Sequence, residues 1–140
     1  MTRVTLNGKK GAAENMLEEA VNHLEFLGYT ITRKEETTWA QHAVKLNITL
    51  KLYRQGLLLS SFLRADEKAR VDRAGFLEFI NKLNEQASVA RFYADGDGDL
   101  AMEAWFPDGA YERIRFGHFL SLREQDIERI RSLGGKDYLE

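Results

Sequence analysis

The sequence predicts an α+β protein: a mostly antiparallel five-stranded sheet with helices, in the order α-β-β-β-α-β-β-α. Three stretches carry this prediction. Residues 44–53 alternate aliphatic and polar side chains, as a strand with one buried face does. Residues 76–87 repeat apolar side chains at helical spacing. Residues 89–106 read as two strands joined by the turn sequence Asp-Gly-Asp-Gly-Asp.

Length, charge and cysteine content limit the possible functions. A chain of 140 residues can bury a real core, and we expect a single domain over residues 1–140. The net charge is −2 with both signs interspersed, which argues against a dedicated nucleic-acid binder with a basic face. The absence of cysteine excludes disulfides, thiolate catalysis and thiolate metal sites. Because no signal peptide or membrane-spanning apolar run is found, we predict a cytoplasmic protein.

The first quarter of the chain predicts an arm, a helix and a short strand. Residues 1–11 are polar and contain two glycines, so we expect a loose N-terminal arm. A helix is expected from about Ala12, and Gly28 is placed to end it, since glycine adopts the positive φ of a helix C-terminus. Residues 29–34 then form a short strand, and residues 35–38 a turn. The buried stripe of the helix consists of Ala13, Met16, Leu17, Ala20, Leu24 and Leu27.

The clearest strand pattern is that of residues 44–53. A two-residue turn at Gln55-Gly56 would return the chain along residues 57–64, with Leu59 opposite Leu52. The aliphatic face of the first strand consists of Val44, Leu46, Ile48, Leu50 and Leu52.

A charged linker at 65–70 leads to the helix at 76–87. Asp72 is the candidate N-cap of this helix, and Gly75 then lies in the first turn, where its flexibility costs least.

The register of the second hairpin follows from its side chains. Pairing Ala94 with Leu100 gathers one apolar face and sets Arg91 opposite Glu103, an opposite-charge pair. A shift of one residue would place Arg91 against an apolar side chain. The loop is then 95–99, whose glycines can take the positive φ of a tight turn.

Two interpretations are open for the segment after Pro107. In the first, Asp108 caps a single helix from about Ala110; Gly117 inside it costs about 1 kcal/mol relative to alanine. In the second, residues 111–116 form a third hairpin arm and Ser121 begins a shorter helix with a capping box. We favour the single helix and expect a frayed tail at 134–140. The buried side of that helix would consist of Phe116, Phe119, Leu120, Ile127 and Ile130.

No motif for catalysis, a cofactor or a metal ion is found. Asp95, Asp97 and Asp99 have the spacing of a calcium loop, but Leu100 and Phe106 stand where that loop needs glycine and glutamate, so a turn is favoured. A nucleophile elbow and a phosphate loop are both absent from the sequence. We therefore predict no enzymatic activity, no cofactor and no metal site.

The remaining charged and histidine residues have simple interpretations. His23, His42 and His118 lack metal-ligand spacing and are interpreted as surface or boundary residues. Between Glu112 and Arg131 acidic and basic residues alternate, which is typical of an exposed helix face laced with ion pairs.

Three segments carry a resemblance to a known family. Residues 76–84 (Phe-Leu-Glu-Phe-Ile-Asn-Lys-Leu-Asn), residues 90–103 (Ala-Arg-Phe-Tyr-Ala-Asp-Gly-Asp-Gly-Asp-Leu-Ala-Met-Glu) and Leu-Gly-Tyr at 27–29 resemble the YbjN family. That family is described as candidate bacterial sensory transduction regulators. The resemblance implies a fold similar to type III secretion chaperones, which commonly dimerise and bind other polypeptides. It thus implies a non-enzymatic binding or regulatory module, and no functional residues are carried over from it.

The outer face of the predicted sheet is more aromatic than solubility requires. Such a set of exposed residues exceeds what monomers normally leave open. Two explanations stay open: the C-terminal helix or N-terminal arm covers the face, or a subunit or partner contacts it, where aromatic residues and arginine are enriched. The predicted contact residues are Tyr53, Phe62, Arg91, Tyr93 and Trp105.

We therefore predict a chaperone-like polypeptide-binding or regulatory module, most simply a homodimer, with a possible protein partner and no nucleic-acid or membrane partner. The alternative is a small-ligand sensor with a pocket between the sheet and the C-terminal helix.

Overall fold

The computed structural model describes residues 3–107 and 112–140, with side chains described from Glu14 onward. The α+β class and the antiparallel sheet are confirmed, but within these residues the sheet has six strands rather than five, in the order β1-β2-β3-β4-β6-β5. The elements are α1 (Arg3–Phe26), β1 (Thr30–Lys34), β2 (Thr37–Gln41), β3 (Ile48–Leu52), β4 (Gly56–Leu63), α2 (Glu67–Val71), α3 (Arg73–Gln86), β5 (Ala90–Ala94), β6 (Leu100–Pro107) and α4 (Arg113–Ser132).

The chain divides into two compact units. One comprises Met1–Leu59 with Trp105–Gly117, and the other Ser60–Ala104 with His118–Glu140. The single-domain organisation over 1–140 stays a prediction.

In the first unit, α1 is longer than predicted. The backbone is helical from Arg3, so the loose arm at 1–11 and the start near Ala12 are wrong for the described residues. Two glycines at about 1 kcal/mol each do not stop a helix once it is nucleated, because every added residue contributes a hydrogen bond. Residues 1–2 and the side chain of Ala13 lie outside the description. The buried side of α1 includes Met16, Ala20, Val21 and Leu24.

The predicted end of α1 at Gly28 is confirmed. Gly28 has a φ of 99° and its N–H donates to Glu25 O at 3.0 Å, while Tyr29 N–H donates to Leu24 O at 3.0 Å. This pair of bonds satisfies the last helical carbonyl groups in the manner of a Schellman motif. Leu27, predicted to be buried, lies beyond the helix and is 40% exposed.

The strand β2 has no counterpart in the predicted order. Its hairpin with β1 closes at Lys34 and Thr37, so the turn is Glu35-Glu36, with a φ of 58° at Glu35, rather than the predicted 35–38. Neither glutamate is a usual residue for such a turn, which is why the sequence pattern places the turn too broadly.

The strand predicted at 44–53 begins later, at β3. His42 Nδ1 accepts hydrogen bonds of 3.0 Å from the N–H groups of Val44 and Lys45, and Asn47 Oδ1 accepts one of 3.1 Å from His42 N–H. These bonds give the segment a local alternative to strand pairing. Val44 is 89% exposed, so the predicted buried role of this residue is wrong.

The turn from β3 to β4 lies one residue earlier than predicted. Tyr53 N–H donates to Gly56 O at 2.8 Å, and Arg54 and Gln55 both have positive φ, 46° and 61°. The predicted turn at Gln55-Gly56 and the pairing that it implied are therefore wrong.

In the second unit, the predicted cap of α3 is confirmed. Asp72 Oδ1 accepts a hydrogen bond of 3.0 Å from Gly75 N–H at the start of the helix. The segment predicted as a charged linker contains α2 instead, because Asp66 accepts from Ala69 N–H at 3.2 Å and caps it. The buried side of α3 consists of Phe76, Phe79, Ile80 and Leu83.

The register predicted for the second hairpin is confirmed. β5 and β6 pair Ala94 with Leu100, and Arg91 with Glu103. The loop 95–99 closes with a hydrogen bond of 2.9 Å from Asp95 N–H to Asp99 O.

The single-helix interpretation of the C-terminal segment is confirmed for the described residues. Helix α4 starts at Arg113, so residues 113–116 are not a hairpin arm. The cap at Asp108 lies outside the description, whereas the start near Ala110 is wrong, because Glu112 is not helical and the helix begins at Arg113. Of the predicted buried side, Phe116, Phe119, Leu120 and Ile130 are buried.

The tail is ordered rather than frayed. A short 3-10 helix spans Gly135–Asp137, and Leu139 bridges to Ala65. The ring of Tyr138 stacks on Phe79 with centroids 5.7 Å apart, so apolar contact holds the tail against α3.

Candidate protein-contact surfaces

In the first unit, an exposed tryptophan is fixed by the backbone. Trp105 lies on β6 between buried Ala104 and Phe106, and it is 43% exposed because strand side chains alternate. Its Nε1–H donates a hydrogen bond of 2.8 Å to Tyr53 O. A Cβ at Gly56 would lie 2.6 Å from Trp105 Nε1, so only glycine permits this position of the indole. The tryptophan is thus an exposed aromatic side chain with a fixed orientation.

Two further aromatic residues of the first unit are exposed. Tyr53 is 41% exposed, and the guanidinium of Arg54 lies 5.2 Å from its ring centroid. Trp39 is 44% exposed, on the side of β2 away from buried Thr38 and Ala40. Sequence reasoning did not identify Trp39, although the alternation of residues 38–40 would have placed it once β2 was recognised.

In the second unit, Arg91, Tyr93 and Glu103 form a connected polar cluster. Glu103 Oε1 accepts from Arg91 Nε at 2.9 Å and from Nη2 at 2.6 Å. Glu103 Oε2 accepts from the Tyr93 hydroxyl at 3.0 Å. Burial, and then the hydrogen bond and charge of Glu103, raise the pKa of Tyr93. The cluster holds both side chains in place while Arg91 remains largely exposed.

The fifth predicted contact residue, Phe62, is 56% exposed on β4, next to buried Ser61. None of the five predicted residues is buried, so each is available for contact within its own unit. Their contact role stays a prediction.

The side chains of Asp95 and Asp99 in the 95–99 loop accept backbone hydrogen bonds that stabilise the turn. Asp95 Oδ1 accepts from the N–H groups of Asp97 at 2.9 Å and Asp99 at 3.0 Å, and Asp99 Oδ1 accepts from Ala65 N–H at 2.8 Å. Within residues 3–107 and 112–140, no group of three or more His, Asp or Glu side chains is arranged to hold a metal ion.

Two charged side chains of α4 are buried, contrary to the prediction of an exposed face laced with ion pairs. Asp126 is fully buried and accepts from the N–H groups of Ser88 at 2.8 Å, Val89 at 2.9 Å and Ala90 at 2.9 Å. Buried Arg123 donates to Ser61 Oγ. Positions 123 and 126 continue the helical spacing of the apolar stripe, and that spacing was the signal that could have identified them.

A cavity of about 1010 Å³ in the first unit is lined by α1, β1, β2 and β3, including Glu14, Arg33, Glu36 and Lys51. A smaller one of about 230 Å³ is lined by Glu19, Asn22, His23 and Arg113. Neither is lined by both the sheet and α4, where the alternative prediction of a ligand sensor placed its pocket.

In the part of the chain that the structure describes, no helix is long and apolar enough to cross a bilayer.

Comparison with known proteins identifies the fold. No family model and no curated protein sequence match the chain. YbjN from E. coli, described as a candidate transcription regulator, is similar with a TM-score of 0.68 and 14% identity, over 89% of this chain and 95% of that one. The heterodimeric ExoU–SpcU complex of the type III secretion system of Pseudomonas aeruginosa contains a chain that is similar with a TM-score of 0.54 and 17% identity, over 71% of this chain and 84% of that one. The chain therefore has the YbjN-like, type III secretion chaperone-like fold that its sequence resemblance implied.

Proposed function

We propose that this protein is a non-enzymatic polypeptide-binding or regulatory module that acts through protein–protein contacts. The observation that carries the proposal is the fixed, exposed indole of Trp105, hydrogen-bonded to Tyr53 O. A preorganised aromatic side chain binds a partner without first losing rotamer freedom, and tryptophan and tyrosine are enriched among residues that dominate binding energy.

The second unit supports the same proposal. Arg91 and Tyr93 are exposed yet held by Glu103, and arginine and tyrosine are both enriched at protein interfaces. Phe62 adds an exposed apolar ring on β4. These features suit recognition of a protein surface.

The fold supports a binding role at a coarser level. One similar structure is a regulator candidate and the other a chain from a heterodimeric protein complex. Since one fold can host many functions, these likenesses support the proposal and the exposed residues carry it.

A homodimer is the simplest assembly that this proposal allows, and the cytoplasm is the expected compartment. Light scattering on a sizing column, over a wide range of concentration, tests the dimer. A strict monomer at high concentration would remove the homodimer and leave a different polypeptide as the partner.

Substitutions test the contact residues themselves. We expect W105A and Y93A to reduce dimer formation while retaining the far-UV circular dichroism of the fold. Phe26, 75% exposed at the end of α1, provides the control, and F26A should associate as the wild type does. If W105A and Y93A fold and associate normally, these two residues do not form the contact.

A further inference from the structure

The strand β5 ends the sheet, so one of its edges faces away from β6. The hydrogen bond from Asp95 N–H to Asp99 O makes this pair a hydrogen-bonded pair of the antiparallel ladder. Such pairs alternate along two antiparallel strands, so Tyr93 and Arg91 bond toward β6. The backbone groups of Phe92 and Ala90 therefore point outward, to the free edge.

A side chain of α3 occupies both outward groups of Phe92. Asn84 Nδ2 donates to Phe92 O at 2.9 Å, and Asn84 Oδ1 accepts from Phe92 N–H at 2.8 Å. One carboxamide thus makes the pair of hydrogen bonds that a residue of a neighbouring strand would make. The adjacent Leu83 is buried in the core of this unit, which fixes the helix turn that carries Asn84.

A side chain of α4 occupies the next outward donor. Asp126 Oδ2 accepts from Ala90 N–H, and the same carboxylate binds the N–H groups of Ser88 and Val89 just before the strand. Arg129 Nη1 donates to Asp126 Oδ1 at 2.9 Å and holds the carboxylate in place.

We propose that Asn84 and Asp126 form an edge lock, which prevents β5 from pairing with β5 of a second copy of this chain. An unpaired strand edge is a template for self-association, and natural proteins protect such edges. The strand Ala-Arg-Phe-Tyr-Ala has aromatic residues, no proline and one charge, so it would be prone to pairing if open. The lock is separate from the proposed binding role, because it governs backbone pairing at the edge.

Hydrogen exchange on the wild-type protein gives the first test. The lock predicts that the amides of Phe92 and Ala90 are protected, although neither bonds to β6. Exchange of these two amides at the rate of unpaired, solvent-exposed groups would overturn the proposal.

The variant N84A gives the second test, with N81A as the matched control, because Asn81 is exposed on the same helix. We expect N84A to speed exchange of the Phe92 amide by about tenfold, as for the loss of one hydrogen bond. We also expect its light-scattering mass to rise above the wild-type species with concentration, and that of N81A to stay at the wild-type value. A folded N84A with wild-type mass at every concentration would overturn the lock.

The variant N84L repeats the test with a side chain of nearly the same shape, and N81L is its control. Leucine can neither accept from Phe92 N–H nor donate to Phe92 O, so both groups become available to a second chain. Association of N84L beyond that of N81L supports the lock, and a folded N84L that stays at wild-type mass contradicts it.

Discussion

Trp105 Nε1–H donates to the carbonyl oxygen of Tyr53 at 2.8 Å, across a position that only glycine can occupy. A Cβ at Gly56 would lie 2.5 Å from Phe106 O and 2.6 Å from Trp105 Nε1, both closer than van der Waals contact permits. The turn that ends β3 and the exposed indole of the proposed contact surface are therefore one structural arrangement.

Substitution of Gly56 should disturb both the turn that ends β3 and the position of the Trp105 indole. We expect G56A to lower the free energy of unfolding by about 1 to 3 kcal/mol, the usual cost of overpacking. Urea unfolding measures this loss. Gly96 is the control, since a Cβ there meets nothing within 4 Å, and G96A should stay within about 1 kcal/mol of the wild type. Equal stability of G56A and the wild type would show that the indole position does not require glycine.

Replacing the indole tests the hydrogen bond alone. W105F keeps an aromatic ring but removes the donor to Tyr53 O, so we expect a loss of about 1 kcal/mol in unfolding free energy. Trp39 has nearly the same exposure, 44%, and W39F serves as the control. The unfolding of both variants is followed by far-UV circular dichroism, because each variant replaces a tryptophan and so changes the fluorescence signal itself. Similar losses in the two variants would mean that ring packing, rather than the Tyr53 bond, is being measured.

The parts of the fold predicted correctly depend on local pattern. The register of the 90–104 hairpin is predicted correctly because its turn, its apolar alternation and the Arg91–Glu103 pair all lie within this one short stretch of chain. The strand predicted at 44–53 is too long, since its aliphatic alternation gives no sign of the side-chain hydrogen bonds of His42 and Asn47. The strand β2 was missed because the turn before it has no glycine or asparagine.

For the candidate contact residues, local pattern predicts their exposure but not their contacts with other elements. Alternation along a strand places Tyr93 and Trp105 on an exposed side. Other contacts form only when folding brings different elements together. Examples are the approach of Trp105 to Gly56 and the hydrogen bond between Asn84 and Phe92. Periodicity in the sequence contains no information on such contacts.

The buried carboxylate of Asp126 should contribute strongly to stability. In D126N an amide replaces the carboxylate that accepts from three backbone N–H groups, so at least one of these donors loses its partner. We expect a loss of about 2 to 3 kcal/mol in unfolding free energy by urea titration.

Glu128 gives the matched control for this change. It lies on the same helix in an exposed ion pair of 3.4 Å with Arg131, and E128Q should cost no more than about 0.5 kcal/mol. A D126N protein as stable as E128Q would mean that the carboxylate charge is not needed at this position.

Stability should fall on mild acidification because of His23. Its ring packs edge-on against Phe116 with centroids 5.4 Å apart, and burial, followed by the positive charge of Arg113, lowers the pKa of His23. The unfolded chain, with an ordinary histidine pKa of about 6.5, then takes up a proton before the folded protein does. The contribution of neutral His23 to stability is therefore fully present above a pH of about 6.5. It decreases as the pH falls from there toward the lowered pKa of His23 in the folded protein.

Urea unfolding at a series of pH values between neutral and mildly acidic measures this dependence. H23Q keeps a polar side chain that cannot be protonated, so we expect a smaller loss of stability on acidification than in the wild type. H118Q removes an exposed histidine of α4 and should retain the wild-type loss, because His23 is still present beside Arg113 and Glu19. If H23Q and the wild type lose the same stability over this range, protonation of His23 is not the cause, and the acid sensitivity belongs to other groups.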